Sequence, residues 1–560
     1  MSGSSTGIRA CVALLLAAAA ALTAVLVLRT FWYLFHSVTN APYTDGWVIF
    51  DEIRRFREGA LHWTFFWAPY WGQRNLVARL LFFFSAKYLS FSALPLIAIN
   101  VAAWLSMLAV LIRTARRLFP ESRLVFFACS IALVHLVLSS LGMEVLVITQ
   151  NVQHSVGYAS AVSAILLFNR RPWLGIALAV LATASVAIGL LVWPILLVQA
   201  WRSGATAKSL ADARGSDQSH DRKGVVSPGP MTLAALLAIT AAMFALYAIG
   251  YTRPPSLGIG VGGALRHPGV ALSMTSLVLG GPVTLYSLRL GTAAGGVGLG
   301  ALLWFLIRRS GNQAGFALTM AACFLAASAA SLAVGRISPE WLASLHGAQP
   351  LPSRYIAPTL VFWGCLFVLA MGQRDLLPRF AVCALVLVMT FGTWSWQWRV
   401  SREWAVAFQK SDAIAAGFLS SVSDPELMSL LLTDGALRDR TVDYMRRERL
   451  AVFAEPRAAW IGRRIDPAPP ICRGSFSTVA LANGMRVTGS LERAGLPASN
   501  SFDLLITGDT GTVSGLARSL PAQSEGRGAI DFLGYARAGA PASLRLFVAR
   551  DGRPVCQARP

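Results

Sequence analysis

Charge is scarce in this sequence, and acid is scarcer than base. Only 14% of the 560 residues are Asp, Glu, Lys or Arg, against 55% hydrophobic residues, and the mean hydropathy is +0.56. That poverty excludes an ordinary soluble globule, in which about a quarter of residues carry charge. Histidine is thin as well, with seven in all and none after His346, so the C-terminal part lacks the commonest general base. No CxxC or HExxH spacing offers ligands to a metal, and neither a metal nor a cofactor is expected. No nucleic-acid motif accompanies the net charge of +22. In so apolar a chain the surplus is expected to report cytoplasmic loops and phosphate-rich surroundings, not nucleic acid.

What the sequence has instead is apolar runs near 11–35, 93–112, 124–141, 155–168, 174–200, 231–251, 270–287, 291–307, 314–334, 355–371 and 379–397. Each is read as long enough to cross the roughly 30 Å of a bilayer core. A mainly α, polytopic transmembrane helix bundle follows, integral to the inner (plasma) membrane and in contact with membrane lipids. The first run continues apolar from Arg9 through Phe35 without a cleavage site before Trp32, and so is expected to be an uncleaved anchor.

Basic residues favour the cytoplasmic side, which places Arg113/Arg116/Arg117/Arg123, Arg170/Arg171 and Arg202 to Lys223 inside. The run 174–200 then lies between two inside clusters and must break around Ala187 to Gly189. Gly280-Gly281-Pro282 likewise interrupts 270–287, as expected of a re-entrant segment; such breaks line cavities. Residues 202–230 read as a loop without a fold of its own. Parity makes the N-terminus cytoplasmic and brings 43–92, 144–154, 252–267, 336–355 and the tail to the outer face. Three regions follow: 1–400, a transmembrane helical domain with an outer catalytic-type loop at 43–92; 401–465, a helical membrane-proximal connector; and 466–560, a β-rich extracytoplasmic domain expected to be a small β-sandwich. Cys472 and Cys556 bracket that last domain and suit a disulfide in an oxidising compartment. The other five cysteines lie in apolar runs and read as small hydrophobes.

The chemistry-bearing stretch is Tyr43 to Arg79. Asp45 precedes Trp47, Phe50, Ile53 and Phe56, the spacing of an in-plane amphipathic helix stopped by Gly59; it is either an N-cap or a catalytic carboxylate. Asp51 lies on a rim that Asp45 would share, whereas Glu52 and Arg55 read as exposed ion-pair partners. Arg74 and Arg79, with Arg336, Arg354 and Tyr355, oppose the usual inside bias and point to a bound phosphate or pyrophosphate. Gln150 and Asn151, beside Glu144 and His154, supply groups that read hydroxyls. The aromatic run from Trp63 to Trp71 suits a headgroup-level belt or a platform for sugar or isoprenoid. His135, inside an apolar run, reads as a bundle contact.

The acidic residue in the first outer loop (Thr44-Asp45-Gly46-Trp47), the broken central helices and the late outer loop ending Ser353-Arg354-Tyr355 together resemble the GT-C superfamily of membrane glycosyltransferases. The likeness covers the first 400 residues by architecture, through few and short motifs. It implies a polyprenyl-phosphate-linked sugar donor, a glycan or lipid acceptor, Asp45 as general base, inversion at the anomeric carbon, and a leaving phosphate stabilised by Arg74, Arg336 or Arg354 without a metal. Related bacterial sequences carry Asn-Glu-His-Arg before the second helix, where this chain has Trp71-Gly72-Gln73-Arg74; only the arginine is kept. The rival readings are a lipid-linked oligosaccharide flippase, which would hold its key charges near the bilayer midplane, and a non-catalytic envelope scaffold.

Overall fold

The structure is a computed structural model that describes residues 3–36, 38–70, 73–213, 230–251, 258–308, 312–336, 351–465, 470–493, 496, 502–508, 510–520, 528–537 and 544–559. Contacts divide the chain into two compact units. One comprises Met1–Trp32, Phe66–Ala78 and Ile97–Ser401, the other Tyr33–Phe65, Arg79–Leu96 and Arg402–Pro560.

The first unit is a helix bundle. Six of the chain's described helices are long and apolar enough to cross a membrane: Ala10–His36, Ala93–Leu118, Arg123–Val147, Leu288–Ile307, Gln313–Arg336 and Ser353–Met371; the bent pair Leu376–Gly392 and Trp394–Leu419 makes a seventh if it counts as one span. The chain is accordingly a multi-pass membrane protein. Ser353–Met371 is buried inside the protein over 83% of its apolar window and Ala10–His36 over 11%, so the former is the central post of the bundle and the latter a peripheral helix. Three further apolar runs form four shorter helices, Pro172–Ser185 and Ala187–Ser203 from one run, then Leu233–Ala248 and Pro268–Leu279. The 14 residues of Pro172–Ser185 rise only about 21 Å, short of a full crossing.

Both expected interruptions are present. Val186 leaves the helix in an extended conformation (φ −159°, ψ 148°), and Ala187–Leu191 is a 3-10 turn. A Cβ on Gly189 would lie 2.3 Å from the Ala182 carbonyl carbon, so the chain can double back here only with glycine. Pro268–Leu279 ends at Gly280, and Gly281–Val283 is a second 3-10 turn. A Cβ on Gly295 would sit 1.7 Å from the Ser276 carbonyl oxygen, so this pair packs backbone to backbone through small residues, as membrane helices do. Within 202–230, read as a loop, the helix Val192–Ala213 extends through the first part; 214–229 lie outside the described residues. His135 is the bundle contact expected of it: Gln397 Nε2 lies 3.1 Å from its Nε2 and Thr23 Oγ1 3.1 Å from its Nδ1, so both ring nitrogens are used.

The second unit joins helices to a sheet. Its seven strands are β1 (Ile471–Leu481), β2 (Gly484–Glu492), β3 (Asp503–Thr507), β4 (Val513–Ser519), β5 (Ala529–Arg537), β6 (Arg545–Arg550) and β7 (Arg553–Arg559). They form one closed, barrel-like sheet in the order β1-β2-β5-β4-β3-β6-β7, where two facing sheets were expected. Parallel pairing of β1 with β7, Ile471↔Gln557 to Arg473↔Arg559, makes the closure. The Cys472–Cys556 disulfide lies on it, and closure removes the open sheet edges. Inside are Val487, Leu504, Ile506, Phe532, Leu546 and Val548.

Helix Gly46–Arg57 belongs to this unit and buries Trp47, Phe50 and Ile53. The amphipathic reading is correct in spacing, but the apolar face packs on protein: Trp47 meets Phe418 edge-on at 5.4 Å, and Phe50 lies 4.1 Å from Phe91. Gly59, at φ +75°, follows its C-terminus in the left-handed region.

An ion network ties the unit together. Arg457, 5% exposed, donates to Asp412 and Glu455 and lies 3.8 Å from Asp503. Arg518 bridges Asp412 and Asp503 at 2.6 and 3.4 Å. Thr39 donates to Asp412 at 3.1 Å and Asn40 to Glu455 at 2.7 Å. Burial raises the Glu455 pKa, and the Arg457 guanidinium beside it opposes that rise. Asp412→Asn leaves Arg457 without its main counter-charge and is expected to destabilise this unit by about 3–5 kcal/mol. Thermal unfolding of the detergent-purified chain measures it, and an unchanged midpoint would contradict the role given to this network.

Candidate functional site

The sequence-predicted site residues fall in both units. Asp45, Asp51 and Arg79 belong to the unit that carries the sheet; Arg74, Gln150, Asn151, Arg336, Arg354 and Tyr355 belong to the helical unit.

Asp45 occupies the N-cap position of Gly46–Arg57, but its side chain accepts no capping hydrogen bond. The residue is exposed, and Thr44 before it sits at φ 47°, a left-handed conformation that turns the chain into the helix. Asp51 is buried and ion-paired: Arg54 Nη2 approaches its Oδ1 at 2.8 Å and Arg440 Nε at 3.3 Å. Its acid is thereby a packing element between Gly46–Arg57 and helix Gly435–Arg447, not the rim partner of Asp45 that the spacing suggested. Glu52, expected at the surface, is partly buried and receives Arg79 Nη2 at 3.1 Å; burial raises its pKa and Arg79 opposes the rise. Arg79 also donates to the Phe65 carbonyl at 2.9 Å and stacks 4.4 Å over the Phe65 ring.

Arg74 is 2% exposed. Its Nε and Nη2 donate to the Tyr247 carbonyl at 3.2 and 2.9 Å, and it also donates to the carbonyls of Ile249 and Trp67. These carbonyls lie at the C-terminus of helix Pro230–Ala248 and beside the aromatic run, so Arg74 caps a helix end. Gln73 bonds back to Tyr70 through the backbone, while Trp71 and Gly72 of the departing motif lie outside the described residues.

The remaining residues gather where the bundle is irregular. Between helices Arg123–Val137 and Val152–Leu167 the chain makes two 3-10 turns and the short helix Met143–Val147. Ser353 stitches this segment to the N-terminus of Ser353–Met371 by donating to the Leu141 carbonyl and accepting from the Glu144 amide at 3.3 Å. A Cβ on Gly142 would lie 2.8 Å from Ala357 Cβ, which explains a glycine there. Glu144, 4% exposed, accepts from the Arg354 amide at 3.0 Å and pairs with its guanidinium. Asn151 donates to the Glu144 carbonyl at 2.9 Å, and Gln150 accepts from Thr149 Oγ1 at 3.1 Å. The Arg354 guanidinium lies 5.0 Å over the Tyr355 ring.

His154 joins this group. Burial first, then the positive charges of Arg354 and Arg336, hold its pKa down to about 3, so the imidazole is neutral at physiological pH. Arg336 ends helix Gln313–Arg336, and residues 337–350 beyond it lie outside the described residues. The sequence reading placed His154 in the polar segment that supplies hydroxyl-reading groups, with no separate role. A usable signal was its i, i+4 relation to Tyr158 at the start of a helix, which puts two hydrogen-bonding side chains on one face.

No protein-family model, curated protein or solved structure matches this chain. What the site does must therefore be argued from its own geometry. Among the described residues no group of three or more His, Cys, Asp or Glu side chains is placed to hold a metal ion.

The Glu144–Arg354 pair is lopsided, with the carboxylate side chain 5% and the guanidinium 37% exposed. Arg354→Gln strands the buried acid and is expected to lower stability by about 3–5 kcal/mol. Glu144→Gln leaves an arginine that reaches solvent and is expected to have a smaller effect, about 1–3 kcal/mol. The double variant is expected to recover part of the Arg354→Gln loss. A double-mutant cycle on thermal midpoints tests this order, and equal single losses would refute it.

Proposed function

We propose that this protein is a membrane glycosyltransferase of GT-C type. In this reading it moves a sugar from a polyprenyl-phosphate donor to an extracytoplasmic glycan or lipid acceptor, with inversion. Asp45 takes the proton from the acceptor hydroxyl as that oxygen attacks the anomeric carbon and the polyprenyl phosphate leaves. The observation that carries the reading is the setting of Asp45: an exposed carboxylate at the start of a helix whose opposite face is locked by Trp47 and Phe50. A base held on a rigid element keeps its geometry through the reaction, and base catalysis typically supplies about 10² to 10⁴-fold.

The reading assigns the leaving phosphate to no particular arginine: the guanidinium groups of Arg74, Arg79 and Arg354 are engaged with carbonyls, Glu52 and Glu144. An extracytoplasmic C-terminus and a cytoplasmic N-terminus belong to the same proposal. The Cys472–Cys556 bond supports that orientation, because disulfides persist on the oxidising side of a membrane.

The test is sugar transfer in proteoliposomes from polyprenyl-phosphate-linked hexose and pentose donors. The parent is expected to transfer, and Asp45→Asn to lose about 10² to 10⁴-fold in rate with an unchanged thermal midpoint. Equal transfer by both removes Asp45 as the base. Translocation of the lipid donor with no transfer by the parent moves the assignment to a flippase.

A further inference from the structure

Helix Ala93–Leu118 ends beside the turn that joins Val152–Leu167 to Pro172–Ser185. There the helical unit forms an open groove of about 330 Å³ lined by Arg113, Arg117, Arg170 and Arg171, with apolar walls that include Val110 and Leu174. The turn is tight: the amides of Arg170 and Arg171 both donate to the Leu167 carbonyl, at 3.0 and 2.9 Å, and Pro172 opens the next helix. Arg113 and Arg117 are four apart on a helix and share a face. Arg116 instead lies 5.1 Å over the Phe126 ring and does not line the groove.

Among the described residues no carboxylate lines this groove, and none of the four arginines has an ion-pair partner. Arg113, Arg170 and Arg171 are exposed and Arg117 is half-buried, so the four guanidinium groups reach solvent at the mouth of the groove. Four cations drawn to one cup without counter-charge repel one another, and the C-terminal dipole of Ala93–Leu118 compensates only those in its last turn. Guanidinium groups bind phosphate oxygens in pairs of parallel hydrogen bonds, and basic pockets between membrane helices are sites for anionic headgroups.

We propose that this groove binds a phosphomonoester bearing an apolar tail, such as phosphatidic acid. The phosphate meets the four arginines, and the first carbons of the tail lie on Val110 and Leu174. The site stands independently of the transferase reading.

The probe is dioctanoyl phosphatidic acid added to the detergent-purified full chain, with dioctanoyl phosphatidylcholine and inorganic phosphate as separate arms. Binding is read by thermophoresis and by thermal midpoint. Phosphatidic acid is expected to bind and raise the midpoint, and phosphatidylcholine, whose choline neutralises its phosphate, to do neither. R113Q/R170Q is expected to weaken phosphatidic acid binding by at least about tenfold, while R116Q stays within about twofold of the parent. Inorganic phosphate binding as tightly as the lipid would support the phosphate site and make its source soluble; much weaker binding would support it and assign the lipid. Unchanged lipid binding by R113Q/R170Q, or equal binding of phosphatidylcholine, overturns the proposal. Without ligand R113Q/R170Q is expected to be as stable as the parent or more so, since it removes repelling charges. If it unfolds early, R117Q/R171Q takes its place under the same tenfold criterion.

Discussion

The buried guanidinium of Arg457 is the constraint around which the sheet-bearing unit is arranged. A charge taken out of water must be paired and hydrogen-bonded or it unfolds its surroundings, and this one gathers Asp412, Glu455 and Asp503 from a helix, a connector and β3. Arg518 on β4 closes the set from the other side. The consequence reaches the loop of interest through Thr39 and Asn40, which bond to Asp412 and Glu455. Asn40 also accepts from the Ala93 amide at 2.8 Å. The stretch carrying Asp45 is thus anchored at both ends by one electrostatic centre, with Trp47 and Phe50 fixing its middle.

The same physics sorts the arginines. A chain this apolar has few places where a guanidinium stays hydrated, so most must find oxygen within the protein. Arg74 finds three backbone carbonyls, Arg79 a carbonyl and Glu52, Arg354 the carboxylate of Glu144. Sequence position marks all of these as unusual outer-face cations, but their partners decide whether they hold structure or remain for a ligand. The four arginines beside Leu167 differ in being mostly exposed and gathered around one groove with no acid lining it.

Local features were legible in the sequence. The apolar runs gave the long helices, Gly and Pro gave the breaks at 186–191 and 280–283, and Asp45 and Gly59 gave the ends of Gly46–Arg57. The disulfide was legible too, because its cysteines bracket the β-rich tail. Long-range partnership was not. Two of the three carbonyls that hold Arg74 lie 173 and 175 residues away, and Asp51 takes Arg440 from 389 residues on. No periodicity encodes such pairs, since they depend on which elements come to pack together. Closure of the sheet escaped for the same reason: β1 and β7 read as ordinary strands, and only their parallel pairing makes a barrel-like sheet.

The departure at Trp71-Gly72-Gln73-Arg74 takes a different meaning once Arg74 is seen in place. The arginine is the one residue this chain shares there with the resembling sequences, and here it caps the end of helix Pro230–Ala248. A buried cap of that kind is required whatever chemistry surrounds it, because the terminal carbonyls of a buried helix need donors. Arg74 therefore reports a capped helix end and says little about a reaction. The missing Glu and His are a different matter: Gln73 brings neither a carboxylate nor an imidazole to the position. On the transferase reading, the proton acceptor is one of the acids this loop retains. Asp51, Glu52 and Glu58 are ion-paired with arginines, and the transferase reading stands on Asp45, which is exposed at the start of its helix.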